Sequence, residues 1–289
     1  MTSYLVHRNR RPRLIMVRGA DIPIDREKFW TKVRSTYERF AEQQNVEIDF
    51  LKTNMRKLIN ERLLNAEFQR KIQGFSWWGG FHHGIALVGL CAPLTVESIG
   101  TLLIAASHTK EFKRPWGSHP LIDNKISWAD VKVIHDGYEL SRQTKIRCIL
   151  KGYMRNMKRP LPLRVCFSQF RHLNCGKCEK CSRAIVGLVL EGIDPNECGF
   201  NLTSDFFGFL KQKLFEGEFF SSEDEVFMWK DIQRHIPVVV CHNLHNSKQF
   251  FRWFKDFDVS RKSVKRLVRL RSILLRTYDK LPRNLHDET

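Results

Sequence analysis

The sequence predicts an α/β protein: an open, mostly parallel sheet flanked by helices, closed by a four-cysteine knot and followed by a helical C-terminal extension. Three observations predict it. Short apolar runs alternate with longer stretches of helical period between residues 13 and 168. Four cysteines crowd residues 166–181. From about residue 200 the pattern changes to phenylalanine-rich stretches with helical spacing. The expected division is therefore an α/β unit over 1–200 and a basic, mainly helical extension over 201–289.

RLIMVRG (13–19) reads as a buried strand closed by Gly19. In the next stretch Phe29, Val33, Tyr37 and Phe40 recur at helical period, with acid near the start. VEIDFL (46–51) alternates as a strand does. NMRKLINERLLNAEFQRK reads as one helix, with Leu58, Ile59, Leu63, Leu64 and Phe68 on one side. After a Trp-Gly-rich break at 74–80 an apolar helix starts near His83, followed by strands TLLIAAS (101–107), VKVIHDG (131–137) and LPLRVCFS (161–168). ELSRQTKIRCILKGYM lies between the last two as a helix. CSRAIVGLVLEG makes another, with Gly192 as its C-terminal stop. At the end, SRKSVKRLVRLRSILLRTY sets apolar residues at helical spacing among Lys and Arg.

The 289 residues carry a net charge of +18. That excess favours an anionic partner such as nucleic acid, a nucleotide or a membrane surface, without choosing among them. The longest apolar stretch, 84–107, is interrupted by Pro93 and Glu97-Ser98, so neither run can cross a bilayer. The first residues lack the apolar core of a signal peptide. A cytoplasmic location is expected, where clustered cysteines hold metal in preference to forming disulfides.

Cys166, Cys175, Cys178 and Cys181 stand at spacings of eight, two and two intervening residues. Interlocked CxxC turns deliver three thiolates from one short stretch, and Cys166 supplies a fourth from one loop away, the set a structural Zn2+ site requires. Lys177, Lys180, Arg171 and Arg183 surround the knot and favour thiolates. An iron–sulfur cluster is the main competitor. A thioredoxin-type pair needs only two cysteines, and a DNA-reading finger carries a second close pair, or two histidines, about a dozen residues away. Cys91, Cys148, Cys198 and Cys241 lack such spacing and read as buried free thiols.

A strand ending in cysteine, then eight residues, then NCGKCEKCSRA leading into a helix resembles the zinc motif of 7-cyano-7-deazaguanine synthases and related uncharacterised bacterial proteins. These belong to the PP-loop ATP pyrophosphatase superfamily, with the adenine nucleotide α-hydrolase-like (HUP) fold. PWGSHPLID and VIHDGYELSRQTKI add to the resemblance, which covers about residues 5–200. It implies ATP bound at an SGGxDS loop, adenylation of a small-molecule substrate with loss of pyrophosphate, and a zinc ion of structural role. No SGGxDS is present in the sequence, and its only Gly-Gly pair, Gly79-Gly80, follows no strand. The resemblance therefore implies a fold lacking its central first strand, in a truncated or degenerate member or one whose start is placed too far downstream. On that reading ATP chemistry is not expected of these residues alone.

Other candidates follow the predicted strands, where open α/β sheets bind ligands. Ser118, His119 and Asp123 lie in GSHPLID; Asp136, Arg142 and Lys145 follow the next strand. His119 is a candidate base, and Arg142 or Lys145 a phosphate partner. Loop hydrogen bonds and surface charge are the simpler reading of each. His82-His83 and His242-x-x-His245 read as loop or core residues, and Trp77, Trp78, Trp116 and Trp128 as core and pocket wall. The alternative function is a basic, zinc-containing nucleic-acid-binding protein without catalysis, using the C-terminal helix.

Overall fold

A computed structural model describes residues 1–71, 76–97, 99–157, 159–166, 172–238, 244 and 246–260. The chain begins with helix α1 (Thr2–His7) and strand β1 (Leu14–Arg18). Helix α2 (Glu27–Gln44) follows and buries Phe29, Trp30, Val33, Tyr37, Phe40 and Ala41. Asn45 then turns the chain through left-handed φ into β2 (Ile48–Lys52). β1 and β2 pair in parallel from Leu14 opposite Ile48 to Arg18 opposite Lys52. Where they end, Gly19 sits at φ +100°, and a Cβ there would stand 1.8 Å from the Thr53 carbonyl oxygen. Only glycine fits.

The expected long helix over 54–71 is two helices, α3 (Met55–Leu58) and α4 (Glu61–Lys71). Ile59 is extended between them, and the Asn60 side chain accepts from the Leu63 N–H at 3.1 Å. A side chain that caps a new helix competes with continuing the old one. Leu58 and Leu63 are exposed as a result. A turn of π-helix over Trp78–His82 leads into α5 (His83–Gly89), the expected apolar helix.

The second sheet places β3 (Thr101–Ala105) parallel to β5 (Val131–Asp136), and β4 (Ser127–Trp128) antiparallel on the other side of β5. Along β5, Val131, Val133 and His135 point inward and alternate with exposed Lys132 and Ile134. Short α6 (Pro120–Asp123) precedes β4. The expected helix after β5 runs as α7 (Arg142–Lys145), a π-turn over Ile146–Leu150, and α8 (Lys151–Met157). Ser141 caps it by accepting from the Thr144 N–H. Among the described residues, β1 pairs only with β2 and β3 only with β5.

α1 ties the two sheets together. Its Tyr4 packs edge-on against Phe40 of α2 and donates to Gln44, and its His7 meets Asp136 at the end of β5 at 3.1 Å.

Residues 161–166 are extended but join neither sheet. Leu161 and Leu163 donate to the carbonyls of Glu197 and Cys198. Pro160 and Pro162 alternate with them and have no N–H to give, so a full ladder cannot form. The expected strand is thus reduced to two backbone bonds.

Helix α9 (Glu179–Leu190) buries every side chain from Cys181 to Leu190, and left-handed Gly192 terminates it as expected. Around it pack α10 (Phe206–Glu216), α11 (Glu223–Arg234) and α12 (Ser247–Asp256). Trp229, Phe220, Phe251 and Phe254 are fully enclosed in one cluster that continues through α9 to Tyr153, Leu5 and Tyr4. α11 opens with a reciprocal capping box between Ser222 and Glu225. The basic stretch 261–276, Cys241, His242, His245 and Arg171 lie outside the described residues.

Candidate metal centre and adjoining cavity

The four cysteines of 166–181 come together. Cys166 ends the extended segment, Cys175 and Cys178 sit on the loop, and Cys181 is in the first turn of α9. Their Sγ atoms all lie within 4.8 Å of one another. The pairs Cys166–Cys178 and Cys175–Cys181 are 3.7 and 3.8 Å apart. A disulfide needs ~2 Å, so these are thiols or thiolates. A tetrahedral ion with Zn–S bonds of ~2.3 Å sets its ligand atoms ~3.8 Å apart, which these distances match. A polynuclear iron–sulfur cluster interposes several atoms and spreads its thiolates wider. The donor set fits a single thiophilic metal ion.

Crowding shapes the thiols' acidity. Hydrogen bonds from neighbouring thiols, that of Cys181 foremost, lower Cys178, while Cys181 is raised by the same bond and by burial. The Cys178 N–H also donates to Cys175 Sγ at 3.3 Å. Gly176, at φ +73°, lets the CxxC loop turn tightly enough for this. Of the surrounding cations, Arg183 is 6% exposed and pairs with Glu179 at 3.2 Å. Burial, then Arg142 and Arg183, push the Lys180 ammonium down.

Asn174, unremarked from sequence, braces the knot. It is 2% exposed. Its Nδ2 donates to the carbonyls of Leu163 and Gly199 at 2.7 and 3.0 Å. Its Oδ1 accepts from the N–H groups of Val165 and Cys166 at 3.0 and 3.3 Å. One amide thus ties the Cys166 segment to the Cys175 loop and to the chain after α9. Its position directly before Cys175 was the available signal: a short polar side chain at a tight turn often bonds backbone.

The weaker candidates separate. Ser118 and Asp123 are buried with His135: Ser118 Oγ donates to Asp123 Oδ2 at 2.7 Å, and His135 Nδ1 meets the same oxygen at 2.7 Å. Asn124 Oδ1 also accepts from the His135 N–H. Both bonds on one carboxylate oxygen do not chain a nucleophile to a base through an imidazole. The group pins the 117–124 loop to β5. His119 caps α6 through Nδ1 and reaches Tyr138 OH through Nε2 at 3.1 Å.

Arg142 and Lys145, in contrast, line a cavity of about 390 Å³. Its walls come from β1, the residues after β3, α7, the 163–165 segment and α9. Arg142 has accessible surface although protein surrounds it closely, as suits a group on a cavity wall. Burial, reinforced by Arg183, pushes its guanidinium down to about 10 despite Asp224, Glu179 and Asp231. Burial and Arg142 push Lys145 down to about 8, against the pull of Asp136. Its Nζ donates to the Ala106 carbonyl at 3.3 Å. Arg164, two residues before the first cysteine, joins them on the wall.

The remaining expectations resolve simply. Cys91 and Cys198 are buried free thiols, whereas Cys148 is exposed because it falls on the outer face of the π-turn. Trp78 packs on His82 and His83, and Trp116 on His83 and His108. Among the described residues no helix is long and apolar enough to cross a membrane.

Comparison with protein-family models, with curated proteins and with solved structures finds no match.

Proposed function

We propose that this chain is a zinc-containing relative of the deazaguanine-synthase-like PP-loop enzymes, which adenylate a small molecule at the expense of ATP. The observation that carries the reading is the tetrad itself. Four thiols at the family's spacing meet at distances suited to one tetrahedral ion, at the N-terminus of a buried helix. The parallel pairs β1–β2 and β3–β5 add support. In a HUP-like sheet they are the two flanks, with the first strand between β1 and β3. Zinc in this reading is structural: Cys166, Cys175, Cys178 and Cys181 hold it and leave no open position for substrate.

The missing SGGxDS loop limits what these residues can do. Such a loop supplies backbone N–H groups at a helix N-terminus for phosphate. The decisive experiment measures pyrophosphate release by the zinc-loaded 289-residue protein, alone and joined to any in-frame upstream segment carrying SGGxDS. The chain alone should be silent and the extended one active. Turnover by the chain alone would overturn the assignment of the loop.

A second reading rests on the net charge of +18: a zinc-containing protein that binds nucleic acid without catalysis. Salt-dependent RNA binding that disappears when the basic residues of 261–276 are neutralised would favour it.

A further inference from the structure

We propose that the cavity beside the metal centre is a binding site for a small phosphomonoester with an apolar body. The inference starts from unspent hydrogen-bond donors. Arg142 lines the cavity with accessible surface. Arg164 Nε and Nη2 are buried without a hydrogen-bond partner. Thr109 is 3% exposed, and its hydroxyl is likewise unpartnered. The Lys145 ammonium has three protons and one weak carbonyl partner. All four residues line the same cavity. The buried donors of Arg164 and Thr109, left without acceptors, carry a desolvation cost that a ligand's oxygens would relieve.

The sign of the ligand follows from what the wall lacks. No Asp or Glu is among the lining residues. The acids nearest these cations are engaged elsewhere: Glu179 with Arg183, Asp224 with His108, Asp231 with the Gln143 N–H, and Asp136 with His7. They act on Arg142 and Lys145 by charge and do not line the cavity.

Two guanidiniums, an ammonium and a hydroxyl match the three terminal oxygens and double charge of a phosphomonoester better than the two oxygens of a carboxylate. The same lining includes apolar Leu14, Met16, Ile48 and Leu188, which suit a hydrocarbon or ring. The site's cations belong to α7 and to the 163–165 segment, and β1 and the residues after β3 complete its wall. The site is independent of adenylation, since binding needs no ATP.

The test is isothermal titration of the full-length, metal-loaded protein with phenyl phosphate, inorganic phosphate and benzoate. Phenyl phosphate should bind at one saturable site and at least tenfold more tightly than either fragment. Arg164→Met and Lys145→Met should each weaken it tenfold or more, while Arg164→Lys recovers part of the loss. Metal content and circular dichroism of each variant separate lost binding from lost folding, and Lys145→Met serves if Arg164→Met does not fold. Absence of saturable phenyl phosphate binding would overturn the site. Binding that ignores both substitutions would overturn these residues as its donors. Benzoate binding as tightly as phenyl phosphate would overturn the phosphate assignment. None of these outcomes bears on pyrophosphate release, so the two readings fail separately.

Discussion

Replacing Asn174 by alanine tests whether one buried amide holds the metal knot together. The substitution removes four hydrogen bonds, to Leu163, Gly199, Val165 and Cys166. It leaves two carbonyls and two N–H groups facing a small void. A buried unsatisfied polar group costs about 1–3 kcal/mol. The void left by the amide is polar, and water entering it would recover part of this. A loss of about 3–6 kcal/mol is therefore expected for the four groups together. Urea unfolding of the metal-loaded protein reads that loss directly. Because two of the bonds fix the backbone at Val165 and Cys166, the metal should also leave sooner to a chromogenic chelator. Asn174→Asp should do no better, since it turns an acceptor toward the Leu163 and Gly199 carbonyls. The reasoning is refuted if Asn174→Ala costs under about 1 kcal/mol and chelator transfer is unchanged.

Metal analysis should give one ion per chain, and the Co2+-substituted protein should show the thiolate charge-transfer and tetrahedral d–d absorption of a four-sulfur site. Serine at any one of the four cysteines should lower affinity sharply, whereas Cys148→Ser should change nothing. Glu191 is 4% exposed and clamps Arg147, Lys151 and Gln143. Burial opposes its ionisation, but bonds from Lys151 and Gln143 and the charge of Arg147 prevail and lower its pKa. Its contribution is present above the unfolded carboxyl pKa and lost as pH falls through the folded one. Glu191→Gln should therefore destabilise at pH 7, with the difference from the parent closing below about pH 4 in chemical denaturation. Gly19→Ala should cost several kcal/mol by thermal melting, since its Cβ would collide with the Thr53 carbonyl at a left-handed φ.

What the sequence made legible depended on whether a signal was local. α2 and β5 each bury one face, and α2 announced itself through period. β1 was legible as a short apolar run closed by Gly19, and β2 as an alternating one. The cysteine tetrad was readable from spacing, since three of its ligands span seven residues. Two elements failed where side chains competed with period. Asn60 broke a helix that the apolar pattern alone would continue, and Pro160 and Pro162 spoiled a strand that composition favoured. The cavity donors were half legible. Arg142 and Lys145 stood out after a strand, but Arg164 and Thr109 gain meaning only from what folds opposite them. Ser118, His119 and Asp123 had equal claims in sequence, and only burial with His135 turns Ser118 and Asp123 into loop anchors.

The placement of the thiols also bears on how the chain reaches its fold. Cys166 and Cys181 are close in sequence, so bringing the four sulfurs together closes only short loops. The entropy of that closure is small, and the cysteines can capture an ion before any sheet has formed. The knot ends in α9, whose side chains from Cys181 to Leu190 are all buried and around which α10, α11 and α12 assemble. A chain folding with metal present would thus start with its most buried helix already anchored at one end. Refolding rate, more than equilibrium stability, should then respond to whether the ion is added before or after denaturant is diluted.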